Sequence, residues 1–460
     1  MRAGRMRRCR VRLLFFVAMM AIATLVPGDA PVSSEPSRPA GSPAKKTSSS
    51  TSTWSSATAE KKETSSYKLS PEKYAQAIAY SRAGYRLYFI GFAYGLAVLW
   101  MILQLGIARK FRDWAEAASG MRLVQVTLCA ALILLTISAV KLPLRIYSHS
   151  LSLQYEQSVQ GWGSWFWDWT KERIISVVIG TILTWILYSM IRRSPRRWWF
   201  YFWLAAIPIG LVLVFITPVI IDPLFNTFEP LNASHPELVL AIERVVQRAG
   251  MNIPRERVFL MRASEKSKEI NAYVTGIGAS KRVVVWDNTI RDTTLPETLF
   301  VFGHEMGHYV LHHIRNGFIL SVIFLLVLLF AGFHALHWAL GRWGGLWRIY
   351  GPEDLASLPV ILLLLSVTLF LCSPIINAYG RYEEHQADVY GLEVIHGIVP
   401  NSSEVAAHAF QVLGEIDLSD PNPPAFIAFW LYSHPPLADR LVFARNYDPW
   451  SKGQSPQFVK

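Results

Sequence analysis

Long apolar runs separated by short polar stretches dominate residues 69–376. Six of these runs are long enough to cross a bilayer as helices: Leu87–Ala108, Leu123–Leu144, Ile174–Met190, Trp198–Ile221, Phe318–Leu340 and Leu358–Ile376. Aromatic residues gather at their ends. Trp162, Trp165, Trp167 and Trp169 fall in a loop expected over Gly161–Trp169, and Trp198 and Trp199 open the fourth run. That is the pattern of an interfacial belt.

The pattern changes between the fourth and fifth runs. Ser234-His235-Pro236-Glu237 reads as a capping box, followed by Leu238, Ala241, Ile242, Val245, Val246 and Ala249 at helical spacing, with Gly250 as the stop. Val258–Met261, Asn271–Thr275 and Arg282–Trp286 are short β-prone runs. They predict a small sheet whose exposed edge could hold an extended peptide by backbone hydrogen bonds. Helical periodicity returns over Leu295–His313, opened by a second capping box, Thr294-Leu295-Pro296-Glu297. Gly341–Ser357 reads as a short loop between the last two runs. After Asn377 the chain is polar and helical in pieces, broken at Pro421–Pro424 and Pro435-Pro436. The fold class expected is mainly α: a polytopic membrane protein with six to seven transmembrane helices plus a domain containing a small β-sheet.

The N-terminal region adds one more apolar stretch. Six arginines lie between Arg2 and Arg12, then Leu13–Val26 is apolar and Gly28 and Ala30 are small. Residues 1–30 therefore read as a signal peptide, with an uncleaved N-terminal anchor as the alternative. Residues 31–66 are rich in Ser, Thr, Pro, Ala and Lys and read as a disordered tether.

Composition supports the membrane reading. Hydrophobic residues make up 52% of the 460 and charged residues only 17%. The net charge of +12 comes largely from arginine clusters beside the apolar runs, which suits contact with anionic lipid. No basic stripe interleaved with aromatics occurs in a polar domain, so nucleic acid is set aside as a partner. Cys9, Cys129 and Cys372 have no paired spacing, so any metal must be held by His and carboxylate.

The chemistry centres on His304-Glu305-Met306-Gly307-His308. On a helix the two histidines are one turn apart on one face and can share a zinc ion, while Glu305 can serve as general base on a water that the metal polarises. A structural helix can carry such a pair, but two imidazoles and a carboxylate are costly to bury without partners. Catalytic zinc needs a third protein ligand. The cluster Arg381-Tyr382-Glu383-Glu384-His385-Gln386-Ala387-Asp388 is the polar stretch that could supply it. Glu384 and Asp388 share a helix face, so Glu384 can reach a metal while Asp388 accepts a hydrogen bond from the far nitrogen of a ligating histidine. Spacing alone leaves Glu383 and His385 open as ligands. In Ser433–Arg440, His434 and Arg440 could stabilise an oxyanion, although a lone histidine before a proline pair also suits a turn. His312, His313, His334, His337, His396 and His408 carry no assigned chemistry.

Taken together, these motifs resemble one family. HEMGH, Glu384 with Asp388, Ile221-Asp222-Pro223-Leu224-Phe225-Asn226, Asn271-Ala272-Tyr273 and Ser433–Arg440 look like the integral-membrane CAAX prenyl protease of the zinc metalloprotease type, over roughly residues 69–450. The resemblance implies helices ringed around an enclosed chamber, with a zinc domain closing one end. It implies zinc on His304, His308 and Glu384, Glu305 as the catalytic glutamate, Asn271 and Ala272 on a strand that aligns substrate, and His434 and Arg440 lining the active site. It divides the chain into an N-terminal membrane domain, 67–221, and a zinc metallopeptidase domain, 222–460, that includes the spans 318–340 and 358–376. Its implied substrate is a peptide or protein cut near a prenylated C-terminal cysteine. A quality-control protease acting on membrane or exported proteins is the alternative, and a zinc-stabilised membrane scaffold or transporter without peptidase activity is a third reading.

Charge and resemblance disagree on sidedness. Arg109–Arg112 and Arg192–Arg197 flank alternate spans, so the positive-inside rule places the zinc domain outside the cytoplasm. The eukaryotic family members imply a cytosolic site instead.

Overall fold

The computed structural model describes residues 68–276 and 281–459, so the readings made for residues 1–66 fall outside it. Among the described residues, six helices are long and apolar enough to cross a membrane. The first, α1, spans Pro71–Gln104, with the Ser70 hydroxyl accepting from Lys73 N–H at its start. It ends short of the expected Ala108, because Gly106 takes a left-handed turn (φ 66°) that launches a separate amphipathic helix, α2, Ile107–Ala118. Helix α3 is Arg122–Gln154 and α4 is Trp162–Arg193. The tryptophans expected in a loop thus form the first turns of α4, where Trp162 and Trp165 pack on the His149 ring. Helix α5, Trp198–Ile216, runs on through a π-turn at Thr217–Ile221 into Asp222–Phe225.

A four-stranded sheet follows: β1 (Phe228–Pro230), β2 (Val258–Met261), β3 (Ala272–Thr275) and β4 (Arg282–Trp286), in the order β1-β2-β4-β3. β2 and β4 are parallel and the outer pairs antiparallel. β1 was not legible in the sequence, since three residues ending in proline carry no alternation. Helix α6, Pro236–Arg248, is amphipathic as expected and stops before Gly250 (φ 67°). Its N-terminus is not the expected capping box, because Ser234 closes a preceding helical turn and His235 takes the cap position.

Helix α7, Leu295–Val310, carries the HExxH motif, and its Thr294/Glu297 capping box is present. A left-handed residue, His312, turns the chain into α8, His313–Trp347, so the loop expected from Gly341 starts later. Helix α9, Leu358–Ile395, is one continuous helix from the last span into the polar tail. Helices α10 (Ser402–Ile416), α11 (Ala425–Leu431) and α12 (Leu437–Asn446) complete the chain.

Two apolar cores lie at opposite ends of α9. One joins α6, the sheet, α7, the end of α9, α10 and α12. The other joins α1 to α5 and the end of α8 with the start of α9. Between them the buried apolar residues thin to a small group around Leu325 and Leu328, and polar side chains such as Ser138, Lys141 and Ser366 are buried at mid-helix.

Candidate metal centre

Helices α7 and α9 cross so closely that side chains would not fit at the crossing. A Cβ on Gly391 would lie 3.0 Å from the His304 backbone nitrogen, and one on Gly303 would lie 2.8 Å from Val394 Cγ1. This crossing sets His304 and His308 against Glu384, 26 residues into α9.

The donor atoms converge. His304 Nε2 is 3.2 Å from His308 Nε2 and 3.2 Å from Glu384 Oε2, and His308 Nε2 is 3.5 Å from Glu384 Oε1. Zinc bonds of about 2.0–2.1 Å at tetrahedral angles set donor atoms roughly 3.3–3.4 Å apart. Two imidazoles and a carboxylate at these separations fit a divalent cation with a coordination position left over. Among the described residues this trio is the group of His, Cys, Asp and Glu able to hold a metal ion. Glu383 is buried but is not part of this donor group, and His385 is exposed with its ring against Phe443.

The far nitrogen of His304 is also held. Its Nδ1 lies 2.8 Å from Asp388 Oδ1. Arg440 in turn grips Asp388 with two bonds, Nε to Oδ2 at 2.8 Å and Nη2 to Oδ1 at 2.5 Å. Burial pulls the His304 imidazolium down, but the Asp388 and Glu384 carboxylates outweigh it and lift its pKa to about 9 in the metal-free chain. Burial likewise works against charge on Arg440, and Asp388 and Glu384 overcome it, so the guanidinium stays firmly protonated. Arg440, expected to face an oxyanion, lines the same pocket while its Nε and Nη2 are taken by Asp388, with Nη2 3.9 Å from Glu384 Oε2.

His434 Nε2 points into the same space, 3.1 Å from Glu384 Oε2. The segment carrying it is tied to α9 one and two turns before Glu384. Asn377 donates to Trp430 O at 2.6 Å and Arg381 to Tyr432 O at 2.6 Å. Glu305 lines the pocket formed by His304, His308, Glu384, His434 and Arg440.

Asn271 and Val274 line that pocket from the sheet, placing edge strand β3 beside the donor trio. Trp286 N–H donates to Asn271 O, so by strand alternation Ala272 and Val274 turn their backbone groups to the outer edge. The Ala272 N–H is covered there by Asn271 Oδ1 at 2.8 Å.

One contact was not legible in the sequence. His313, the first residue of α8, is 5% exposed and meets His308 Nδ1 through its own Nδ1 at 2.9 Å. Its separation of five residues is not a helical one, so no pattern within a single helix could have singled it out.

Comparisons with known proteins bear on the family and the fold. Residues 232–448 match the model of peptidase family M48, and residues 57–227 match the CAAX prenyl protease N-terminal family of five membrane helices. The uncharacterized metalloprotease YhfN of Bacillus subtilis is 38% identical over 382 residues, covering 82% of this chain and 87% of that protein. CAAX prenyl protease 1 of Saccharomyces cerevisiae is 27% identical, covering 81% of this chain and 86% of its own. The crystal structure of S. mikatae Ste24p superposes with a TM-score of 0.69 at 22% identity, over 95% of this chain and 99% of that one, a likeness of fold.

Proposed function

This chain belongs to peptidase family M48 and is an integral-membrane metalloendopeptidase, and on that premise we propose that its metal is zinc, held by His304, His308 and Glu384. The convergence of these three donors beside Glu305 carries the reading. Zinc, when bound, would polarise the scissile carbonyl and lower the pKa of the attacking water. Glu305 takes the proton from that water and passes it to the leaving amine. His434 donates from Nε2 to the oxygen on which charge develops. Arg440 acts through Asp388, which it holds in place to orient the His304 ring. The substrate lies extended along β3, pairing with the outward Ala272 C=O and the Val274 N–H and C=O beside Asn271.

Glu305→Gln is expected to keep zinc and lose about 10²–10⁴-fold in hydrolysis. Zinc removal by chelation should abolish activity, and stoichiometric zinc should restore it. Activity that survives both treatments would sink the mechanism.

The substrate class follows the yeast relative's name, a prenyl protease. We assign to this chain peptides cut near a prenylated C-terminal cysteine. One observation favours a second reading, cleavage of unprenylated membrane or exported proteins: the basic clusters lie at the end of the helices away from the donor trio. Mass spectrometry of products from one peptide, offered with and without a farnesyl group, separates the two. Preference for the farnesylated peptide supports the first, and equal cutting supports the second.

A further inference from the structure

The two histidines of the donor trio are not held alike. His304 has a carboxylate, Asp388, behind its Nδ1, whereas His308 has a second imidazole, His313 of the next helix. His308 Nδ1 meets His313 Nδ1 at 2.9 Å, and His313 Nε2 meets Gln386 Oε1 at 3.2 Å. Gln386 Nε2 donates to Tyr382 Oη at 3.2 Å.

The proton positions in this row follow from the ends inward. A neutral His308 can give its Nε2 lone pair to a metal only if its proton sits on Nδ1. That proton then points at His313 Nδ1, which must accept it. A neutral His313 whose Nδ1 accepts carries its own proton on Nε2, facing the carbonyl oxygen of Gln386. Each nitrogen in the row has one role, and the roles agree.

The geometry points to His313 as a positioning residue for zinc: it accepts from His308 Nδ1–H and so fixes the tautomer and ring plane that turn His308 Nε2 toward the metal, with Gln386 setting the tautomer of His313 in turn. This deepens the proposed function and rests on its assignment of His308 as a ligand. The backbone explains how a residue five positions on can do this. In one continuous helix His313 would stand about 140° around the axis from His308. The left-handed conformation of His312 (φ 60°) breaks that helix and brings the first residue of α8 back over the end of α7. Gln386 sits two residues from Glu384 and from Asp388, so the same stretch of α9 supports both histidines.

The test uses the full chain in detergent and measures zinc affinity by competition with a chelator. His313→Phe keeps a ring but removes the acceptor, and is expected to weaken zinc about 10–100-fold. His313→Asn restores an oxygen where Nδ1 lay and should recover most of that loss. Gln386→Leu should weaken zinc by less than His313→Phe, and its effect should vanish in the His313→Phe background. Far-ultraviolet circular dichroism and thermal unfolding of each metal-free variant establish that it folds. Wild-type affinity in a folded His313→Phe, or equal losses in the Phe and Asn variants, would overturn the inference. His308→Ala separates the two levels. If it too leaves zinc affinity unchanged, the ligand assignment fails; if it alone weakens zinc, only the role of His313 fails.

Discussion

Asp388 is where the electrostatics of the donor site are decided. Its carboxylate touches both Arg440 and the far nitrogen of His304, and all three are buried. Removing the cation leaves an uncompensated buried charge, so Arg440→Met should destabilise the fold by about 3–5 kcal/mol. Thermal unfolding in detergent checks this, and adding Asp388→Asn to the same chain should recover part of the loss. The pH dependence follows from His304. Its pKa in the metal-free fold is about 9, against 6.5 for an ordinary imidazole. The raised value stabilises the metal-free fold fully below about pH 6.5, and that contribution is lost as pH rises through about 9. A metal needs the neutral ring, so zinc uptake near pH 7–8 should release a proton and zinc affinity should climb with pH up to about 9. Calorimetric titration in buffers of different ionisation enthalpy reads that proton directly. At this scale the two motif histidines, Glu305, Glu384 and Asp388 were legible, because one-turn spacing on a helix fixes which side chains share a face. The partnership of Arg440 with Asp388 was not, since 52 residues separate them and no local period links such positions.

Helix α9 joins the membrane core to the catalytic end. Along its last turns it presents Asn377 and Arg381 to the segment bearing His434, Glu384 to the donor trio, Gly391 to the backbone of His304, and Glu393 to the C-terminal tail. Gly391→Ala would force a Cβ against backbone atoms that cannot turn aside. We expect a cost of about 1–3 kcal/mol and weaker zinc binding, because His304 moves with its helix. Chelator competition and thermal unfolding measure both. Glu393 is fully buried and accepts the N–H groups of Gln457, Phe458 and Val459 as well as the Tyr447 hydroxyl. Glu393→Ala strands these donors, so the tail should become sensitive to protease and exchange amide hydrogens faster. The sequence announced α9 only as a span ending near Ile376 and a separate polar cluster. Its continuity is a property of helix propensity in the intervening residues, with Pro374 accommodated inside it.

On the scale of the whole molecule, the chain separates its basic clusters from its chemistry. Arg112 pairs with Asp354 at the α8–α9 connection, and Glu384 lies about 39 Å further along α9 at 1.5 Å per residue. If the positive-inside rule governs insertion, the Arg112 end is cytoplasmic and the donor trio lies outside. Single cysteines at Lys110 and Glu237, in a chain otherwise lacking accessible cysteine, report this through a membrane-impermeant maleimide on intact cells. Labelling at Glu237→Cys alone is the expected outcome, and labelling at Lys110→Cys alone would place the site in the cytosol.

The sequence by itself determined that this protein spans a membrane several times, that a small sheet precedes the HExxH helix, and which side chains on each helix could act together. Hydrophobic run length and helical or strand period are local properties, and they survive without any knowledge of the fold. Only the tertiary structure decided that Glu384 meets His304 and His308, that Arg440 serves Asp388, that β3 is the edge beside the pocket, and that His313 folds back onto His308. Each of these depends on two segments approaching across many residues or across a break in a helix. Such approaches are set by close glycine crossings and a left-handed turn, whose effect on distance appears only when the chain is packed.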